Sequence, residues 1–332
     1  MTADKQPHPI LVVGTGSIGQ RHAQLLAERR DVDLWLCDIH EPCLRETLEK
    51  APGARAFTDY EVALAAAPEA VFVCTQHALH RPMSIAAFEA GCHVFCEKPL
   101  AETTADAEDI VAAATAANRH LQVGYVMRFH PIVGRLRQMI DDGDIGTLVG
   151  GRALVGTYFT LMASRRRFQA SPKNALILDY THQLDLLSLF FGDAERVAAE
   201  MATLGDLELM QSPNVLAMML RYPSGALVGI HLDYVQYPDH ASLEFFGDRN
   251  SAVYNMGTGE LRVFGHGDDR HHVEFVTVPC NDQYRDQIES FIGVLEERNR
   301  PACTGADGIA VLRIVEAALT SAQELRTVEI EK

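Results

Sequence analysis

The sequence predicts two consecutive units. The first, over residues 1–125, is a doubly wound parallel α/β unit. The second, over residues 126–332, is an α+β unit with a large, mostly antiparallel open sheet. Three observations carry this reading. Short β-branched runs alternate with Ala/Leu/Glu-rich stretches of helical period through the first 125 residues, the pattern of a parallel sheet covered by helices. From about residue 148, longer strand-like runs follow one another through glycine-containing turns, the pattern of antiparallel pairing. The chain of 332 residues has the length of two domains.

In the first unit the strands fall at 10–13, 34–37, 71–74, 93–96 and 121–124. They read as near-continuous apolar runs because both faces of such a sheet are buried. Helical periods occupy 21–30, 43–49, 62–66, 83–90 and 105–118, and the boundary falls near 124–130. Beyond it, strands are expected at 148–159, 196–203, 214–222, 226–235, 242–246, 260–264 and 272–278. One helix over about 175–191 interrupts them, and helices over about 283–298 and 307–325 close the chain. Ala226, Val228, Ile230, Leu232 and Tyr234 point to one face of their strand, Leu227 and Val235 to the other. Helices cover only one face of an open sheet. The other is expected to bury itself in a homodimer or homotetramer.

Composition narrows the function. Apolar residues make up 47% and charged residues 22%, which excludes disordered and collagen-like chains. With 29 Lys+Arg against 45 Asp+Glu the net charge is −16, a surface that repels nucleic acid and anionic membrane. No apolar run reaches the ~18–20 residues of a membrane helix. The start of the chain is polar, and the apolar run at 10–13 is too short for a signal-peptide core. Seven cysteines (37, 43, 74, 92, 96, 280, 303) lack paired spacing, which fits reduced, mostly buried thiols in a cytoplasm.

The first strand runs into Gly14-Thr15-Gly16-Ser17-Ile18-Gly19 and then a helix. In this Gly-x-Gly-x-x-Gly arrangement the first glycine permits a tight turn. The second admits a pyrophosphate to the backbone, and the third packs helix on strand. Asp38 ends the second strand, 24 positions after Gly14, where an acid binds the ribose 2′-hydroxyl. A carboxylate there repels a 2′-phosphate, and Ile39 and His40 supply no Arg or Lys to receive one. NAD is expected, in preference to NADP.

Lys98 follows a buried strand in a Glu97-Lys98-Pro99 turn, so it faces the crevice outside the carboxyl ends of the strands. An ammonium there can stabilise negative charge developing on a substrate oxygen. Asp179, His182 and Asp185 recur at i, i+3, i+6 on an otherwise apolar helix. Buried polar groups need partners, so the stripe is a structural network or a pocket wall. Arg165, Arg166 and Arg167 form a charge run that either faces solvent or recognises an anionic substituent. His266, His271 and His272 lack a third ligand at sensible spacing, and no metal is assigned.

With these residues in view, the sequence resembles the glucose–fructose oxidoreductase / inositol dehydrogenase / MocA family over nearly its whole length. The resemblance rests on Gly14 through His22, Thr75 to His80, Cys96-Glu97-Lys98-Pro99-Leu100, Gly124 through Pro131, Leu178 through Asp185, and Gly305 through Gly308. Gln76 stands where the family often has proline, and Asn174-Ala175 replaces a frequent glycine pair. Asp179 lies three residues before His182, whereas many members have four.

The resemblance implies a two-domain NAD(P)-dependent oxidoreductase interconverting a secondary hydroxyl and a ketone on a sugar, polyol or sugar derivative. His182 would be the acid–base group and Lys98 would polarise the reacting oxygen. Asp179 or Asp185 would orient His182 or bind a hydroxyl. Thr75, His80 and Glu97 would join Gly14, Gly16, Ser17, Ile18, Gly19, Asp38 and Lys98 around the cofactor. Arg128 and Arg166 would join Lys98, Asp179 and His182 at the substrate. Two alternatives share the fold: an NAD-dependent redox-neutral glycosidase, and a non-enzymatic nucleotide-sensing regulator.

Overall fold

The structure, a computed structural model, describes residues 6–158, 175–205, 213–265, 271–276, 278–279 and 281–331. The chain divides into two compact units. One is Met1–Val126 with Cys280–Ile309; the other is Met127–Pro279 with Ala310–Lys332. The sequence reading assigned all of 126–332 to the second unit. The returning segment 280–309 corrects it.

The first unit alternates β1 (His8–Val13), α1 (Ser17–Ala27), β2 (Val32–Cys37), α2 (Glu41–Lys50), β3 (Arg55–Phe57) and α3 (Tyr60–Ala65). It continues through β4 (Ala70–Val73), α4 (His77–Glu89), β5 (His93–Cys96), α5 (Thr104–Ala116) and β6 (Leu121–Val123). All strands are parallel, in the order β3-β2-β1-β4-β5-β6. The order reverses between β1 and β4, where doubly wound sheets open a crevice for ligands. Strand β3 escaped the sequence reading because its three residues are exposed or half-buried and carry no apolar run.

The core of this unit explains the returning segment. Ile10, Val12, Leu26, Leu36, Phe72 and Phe95 form one buried cluster. Ile288, Phe291 and Ile292 from a later helix (Asp282–Leu295) complete it. Phe72 stacks on Phe95 at 4.5 Å, and Phe291 meets Phe72 edge-on at 5.3 Å. No local pattern around residue 288 distinguishes this destination from packing on the second sheet.

The second unit opens with a 3₁₀ turn (Val126–Phe129) and α6 (Pro131–Asp141). In α6 Ile132, Val133, Leu136 and Met139 recur at helical spacing and are buried, a helix not among those expected from the sequence. Pro131 occupies its first turn and the His130 ring accepts the Ile132 N–H. Then follow β7 (Leu148–Gly156), α7 (Ala175–Asp179), α8 (Thr181–Phe191), β8 (Arg196–Ala202), β9 (Val215–Arg221), β10 (Leu227–Asp233) and β11 (His240–Gly247). Next come β12 (Asn250–Asn255), β13 (Glu260–Gly265), β14 (His271–Phe275), α9 (the Asp282–Leu295 helix), α10 (Gly305–Glu324) and β15 (Val328–Glu329).

Nine strands form a sheet in the order β14-β13-β12-β11-β7-β10-β9-β8-β15, with β7 and β10 parallel and the other pairs antiparallel. Its two faces differ. Leu216, Met218, Leu220, Val228, Ile230 and Leu232 are buried on one, where Phe190 and Phe191 of α8 pack on Phe245. Met219 and Leu227 are 45% and 47% exposed on the other. The expected helix over 175–191 is two helices. Tyr180 leaves the helical region (φ −101°, ψ 28°), and the Thr181 hydroxyl donates to the Leu178 carbonyl, a side-chain bond that competes with the helical ladder.

Candidate active site

At the carboxyl end of β1 the three fingerprint glycines have separate duties. Gly14 has φ +86°, and a Cβ there would lie 2.7 Å from the Cys74 carbonyl oxygen. A Cβ on Gly19 would lie 1.8 Å from the Gly14 oxygen. Gly16 differs: nothing lies within 4 Å of its Cβ position. The backbone is thus packed on two sides and open on the third. Gly16 is also the N-cap of α1. It offers no side-chain cap, and no acidic residue occupies the first turn. The Ser17, Ile18 and Gly19 end of the helix is therefore suited to an anionic group.

Asp38 directly follows β2, and its carboxylate is held before any ligand arrives. Its Oδ2 accepts the Thr15 backbone N–H at 2.7 Å and the Thr15 hydroxyl at 2.9 Å. Its Oδ1 accepts the His40 N–H at 2.8 Å. Ile39, 87% exposed, brings no cation. An open glycine backbone at an uncapped helix end, with an aimed carboxylate, fits the pyrophosphate and ribose of NAD.

Lys98 is half-buried beyond β5, between buried Glu97 and buried Pro99. Glu97 is 7% exposed; its Oε1 accepts His22 Nε2 at 2.7 Å and its Oε2 accepts the Lys98 N–H at 3.1 Å. Thr75 is half-buried just past β4. His80 is fully buried and lies with Nδ1 2.9 Å from the Pro99 oxygen and Nε2 3.2 Å from the Thr75 oxygen. It bridges the loops after β4 and β5; burial lowers its pKa, so the neutral ring donates to one of these two carbonyl oxygens. Its neighbour His77 was missed. Burial, then the charges of His80 and Lys98, push the His77 ring down to about 3, so it is neutral at pH 7.

In the second unit His182 is half-buried in the first turn of α8. The expected stripe through Asp179, His182 and Asp185 is not there, because the break at Tyr180 separates Asp179 from the other two. Asp179 is half-buried and its Oδ2 accepts the Tyr234 hydroxyl. Burial and the Asp179 carboxylate push that phenol far above its ordinary range, so it stays a donor. Tyr180 is hydrogen-bonded to Thr157.

Asp185 has no exposed surface, and Arg128 grips it: Nε lies 3.0 and 2.9 Å from its two oxygens and Nη2 2.6 Å from Oδ1. The Arg128 side chain is 8% exposed. Asp185 and Arg128 thus engage each other, where the family resemblance implied a catalytic role for Asp185 and a substrate contact for Arg128. A carboxylate on a buried apolar helix requires a partner, and these two satisfy each other. Thr15, inside the glycine fingerprint, and Tyr234 hold the candidate carboxylates Asp38 and Asp179, partnerships that no sequence pattern marked. Arg165, Arg166, Arg167 and His266 lie outside the described residues. Among the described residues no group of three His, Cys, Asp or Glu side chains gathers to hold a metal.

A parallel sheet with a glycine turn at its reversal point and a fixed carboxylate after the second strand is the architecture of a dinucleotide-binding domain. Residues 9–125 match the model of an oxidoreductase family with an NAD-binding Rossmann fold, and residues 133–253 match the GFO/IDH/MocA C-terminal domain. The chain belongs to this GFO/IDH/MocA oxidoreductase family. It is 28% identical to myo-inositol 2-dehydrogenase of Thermotoga maritima, over 97% of this chain and 98% of the relative. It is 26% identical to D-apiose dehydrogenase of Paraburkholderia graminis, over 96% and 89%. Among solved structures it shares the fold of an oxidoreductase from Agrobacterium radiobacter, solved with NAD+, L-tartaric acid and magnesium. The TM-score is 0.89 at 19% identity, covering 98% of this chain and 99% of that one.

Proposed function

We propose that this protein is an NAD-dependent dehydrogenase or reductase that interconverts a secondary alcohol and a ketone on a polyol or sugar. The observation that carries the cofactor is the open side of Gly16 beside the aimed Asp38 carboxylate. The substrate class follows from relatives that are inositol, apiose and 1,5-anhydro-D-fructose enzymes. When bound, NAD would supply the hydride acceptor; Gly14, Gly16, Ser17, Ile18 and Gly19 would hold its pyrophosphate, Asp38 would take the ribose hydroxyls, and Thr75 would join them at the cofactor.

The protein's own chemistry is a proton transfer and a charge to stabilise. His182 takes the hydroxyl proton, since an imidazole is suited to acid–base work near neutral pH. Lys98 stabilises the oxygen as it becomes alkoxide-like. Asp179, its charge shared with the protonated Tyr234, binds a substrate hydroxyl or orients His182.

The test is a panel. The protein is incubated with NAD or NADP and with myo-inositol, D-apiose, levoglucosan or an aryl glucoside. Net NADH formation on a polyol or sugar supports this reading. Glycoside cleavage that needs NAD yet leaves no net NADH would make it a glycosidase, and binding of NAD with no turnover would make it a sensor.

We further propose that the open sheet face pairs with a second copy of the chain. Support comes from exposed Met219 and Leu227 and from a concavity of about 700 Å³ lined by Arg152, Ala217, Met219, His231 and Glu244. The reduced, mostly buried cysteines support a cytoplasmic setting. Sedimentation of the protein and of Met219→Glu checks the pairing: a monomer in both would remove it.

A further inference from the structure

The Lys98 turn is tied to the helix that opens the nucleotide fingerprint, and one histidine makes the tie. We infer that His22 is a positioning residue for Lys98, acting through the Glu97 carboxylate. The inference rests on Lys98 being the residue that stabilises the reacting oxygen.

His22 lies on α1, in the turn after Gly19, and is fully buried. Its Nε2 faces Glu97 Oε1 at 2.7 Å. An ionised carboxylate only accepts, so this nitrogen carries the proton and donates. The second oxygen, Oε2, accepts the backbone N–H of Lys98 at 3.1 Å. One carboxylate therefore joins a side chain of the phosphate-binding helix to the main chain of Lys98.

Both ends of the link are confined. The His22 ring sits between Phe72, Phe95 and Tyr284, with centroids 5.4, 5.2 and 5.9 Å away. Glu97 is walled by Gly124, where a Cβ would come within 2.9 Å of the Glu97 Cα and 3.0 Å of Oε2. A buried carboxylate without a partner is costly, so Glu97 keeps this arrangement only while His22 supplies the donor. Loss of that donor leaves Glu97 to seek water or another partner. The Lys98 N–H then loses that acceptor, and the position of the ammonium shifts with the turn.

A plain packing role would predict loss of stability and nothing specific to Lys98. The two are separated by a double-mutant cycle on the full-length protein with NAD and the best polyol or sugar of the panel. His22→Phe keeps a buried ring but removes the donor. Its kcat is expected to fall about tenfold to a hundredfold, the scale of a misplaced catalytic group, while the Kd for NADH changes less than about threefold. In a Lys98→Met background the same change is expected to cost less than about twofold, because the group it positions is already gone.

Equal losses in both backgrounds would overturn the inference. A Lys98→Met protein with near-normal kcat would overturn it together with the assigned role of Lys98, so the two failures are distinguishable. Glu97→Gln guards against a folding defect. Its amide oxygen can still accept from His22, but its NH₂ then meets the Lys98 N–H, and kcat should again fall without loss of NADH binding.

A readout free of substrate closes the test. The rate at which an amine-acylating reagent labels Lys98, relative to Lys50 in the same protein, is followed by mass spectrometry. His22→Phe is expected to change that ratio at least about threefold, and an unchanged ratio would overturn the inference.

Discussion

The glycine turn of the first unit and the His182 region of the second are built in different ways. In the first, backbone dominates: an open glycine, uncapped helix N–H groups, and an Asp38 held by Thr15 23 positions earlier and by His40 two positions later. In the second, the polar groups are side chains on an apolar helix, and their partners come from far along the chain. Arg128 reaches Asp185 over 57 positions and Tyr234 reaches Asp179 over 55. Backbone sites leave compact motifs, because glycine spacing is what makes them. Side-chain networks leave none, because any residue that the fold brings near will serve.

The sharpest way to break this comparison is to remove the side chains argued to do chemistry. His182→Ala or Lys98→Met should lower kcat by about 10²–10⁴-fold with little change in NAD affinity. His182→Ala should also remove the acid limb of the pH profile of kcat/KM. Near-normal turnover in His182→Ala would place the proton transfer elsewhere.

Next in size is the buried pair of the second unit. Arg128→Ala strands the Asp185 carboxylate, and such a loss costs about 3–5 kcal/mol of stability. Removing both charges, as Arg128→Met with Asp185→Leu, should recover most of it in urea denaturation. Equal destabilisation by the single and double variants would mean that the pair is not the anchor of α8.

The cofactor choice is a smaller effect and tests the first unit. Asp38→Ser with Ile39→Arg removes the carboxylate and adds a cation. It should shift binding toward NADP by about tenfold or more, the scale of one charged hydrogen bond. Fluorescence titration with NADH and NADPH reads it, and an unchanged preference would place the discrimination away from Asp38.

The smallest effect is acid stability. Burial pushes His77 down to about 3 and His93 to about 4, and it lowers His80 as well. In the unfolded chain these rings titrate near 6.5, so below that pH the unfolded state binds more protons than the folded one. Stability is therefore unaffected above about pH 6.5 and falls as the pH drops from there toward the folded values. All three belong to the first unit, against the half-buried His130 of the second, which burial also lowers. Hydrogen exchange at pH 5 should show the first unit opening before the second, and His93→Gln should flatten the fall in Tm.

Most of the first unit was legible from sequence, because buried parallel strands and the glycine fingerprint are local patterns with local causes. The placement of Lys98 after a buried strand and of His182 on a helix was legible too, from the apolar runs beside them. The strand at Asn250–Asn255 and the helix at Pro131–Asp141 were passed over, although the helix had the right spacing. The stripe on the His182 helix was misread. Its periodicity assumed a continuous helix, and the chain breaks at Tyr180.

By itself the sequence determined the alternation of strand and helix, the glycine turn, the position of Asp38 after β2 and the acidic composition. Each depends on residues within a few positions of one another or on composition. Only tertiary structure decided that α9 completes the first core, that Asp185 belongs to Arg128 and Asp179 to Tyr234, and that His22 holds Glu97. A buried charge or ring must find a partner of the right chemistry, and which residue supplies it depends on where the folded chain returns.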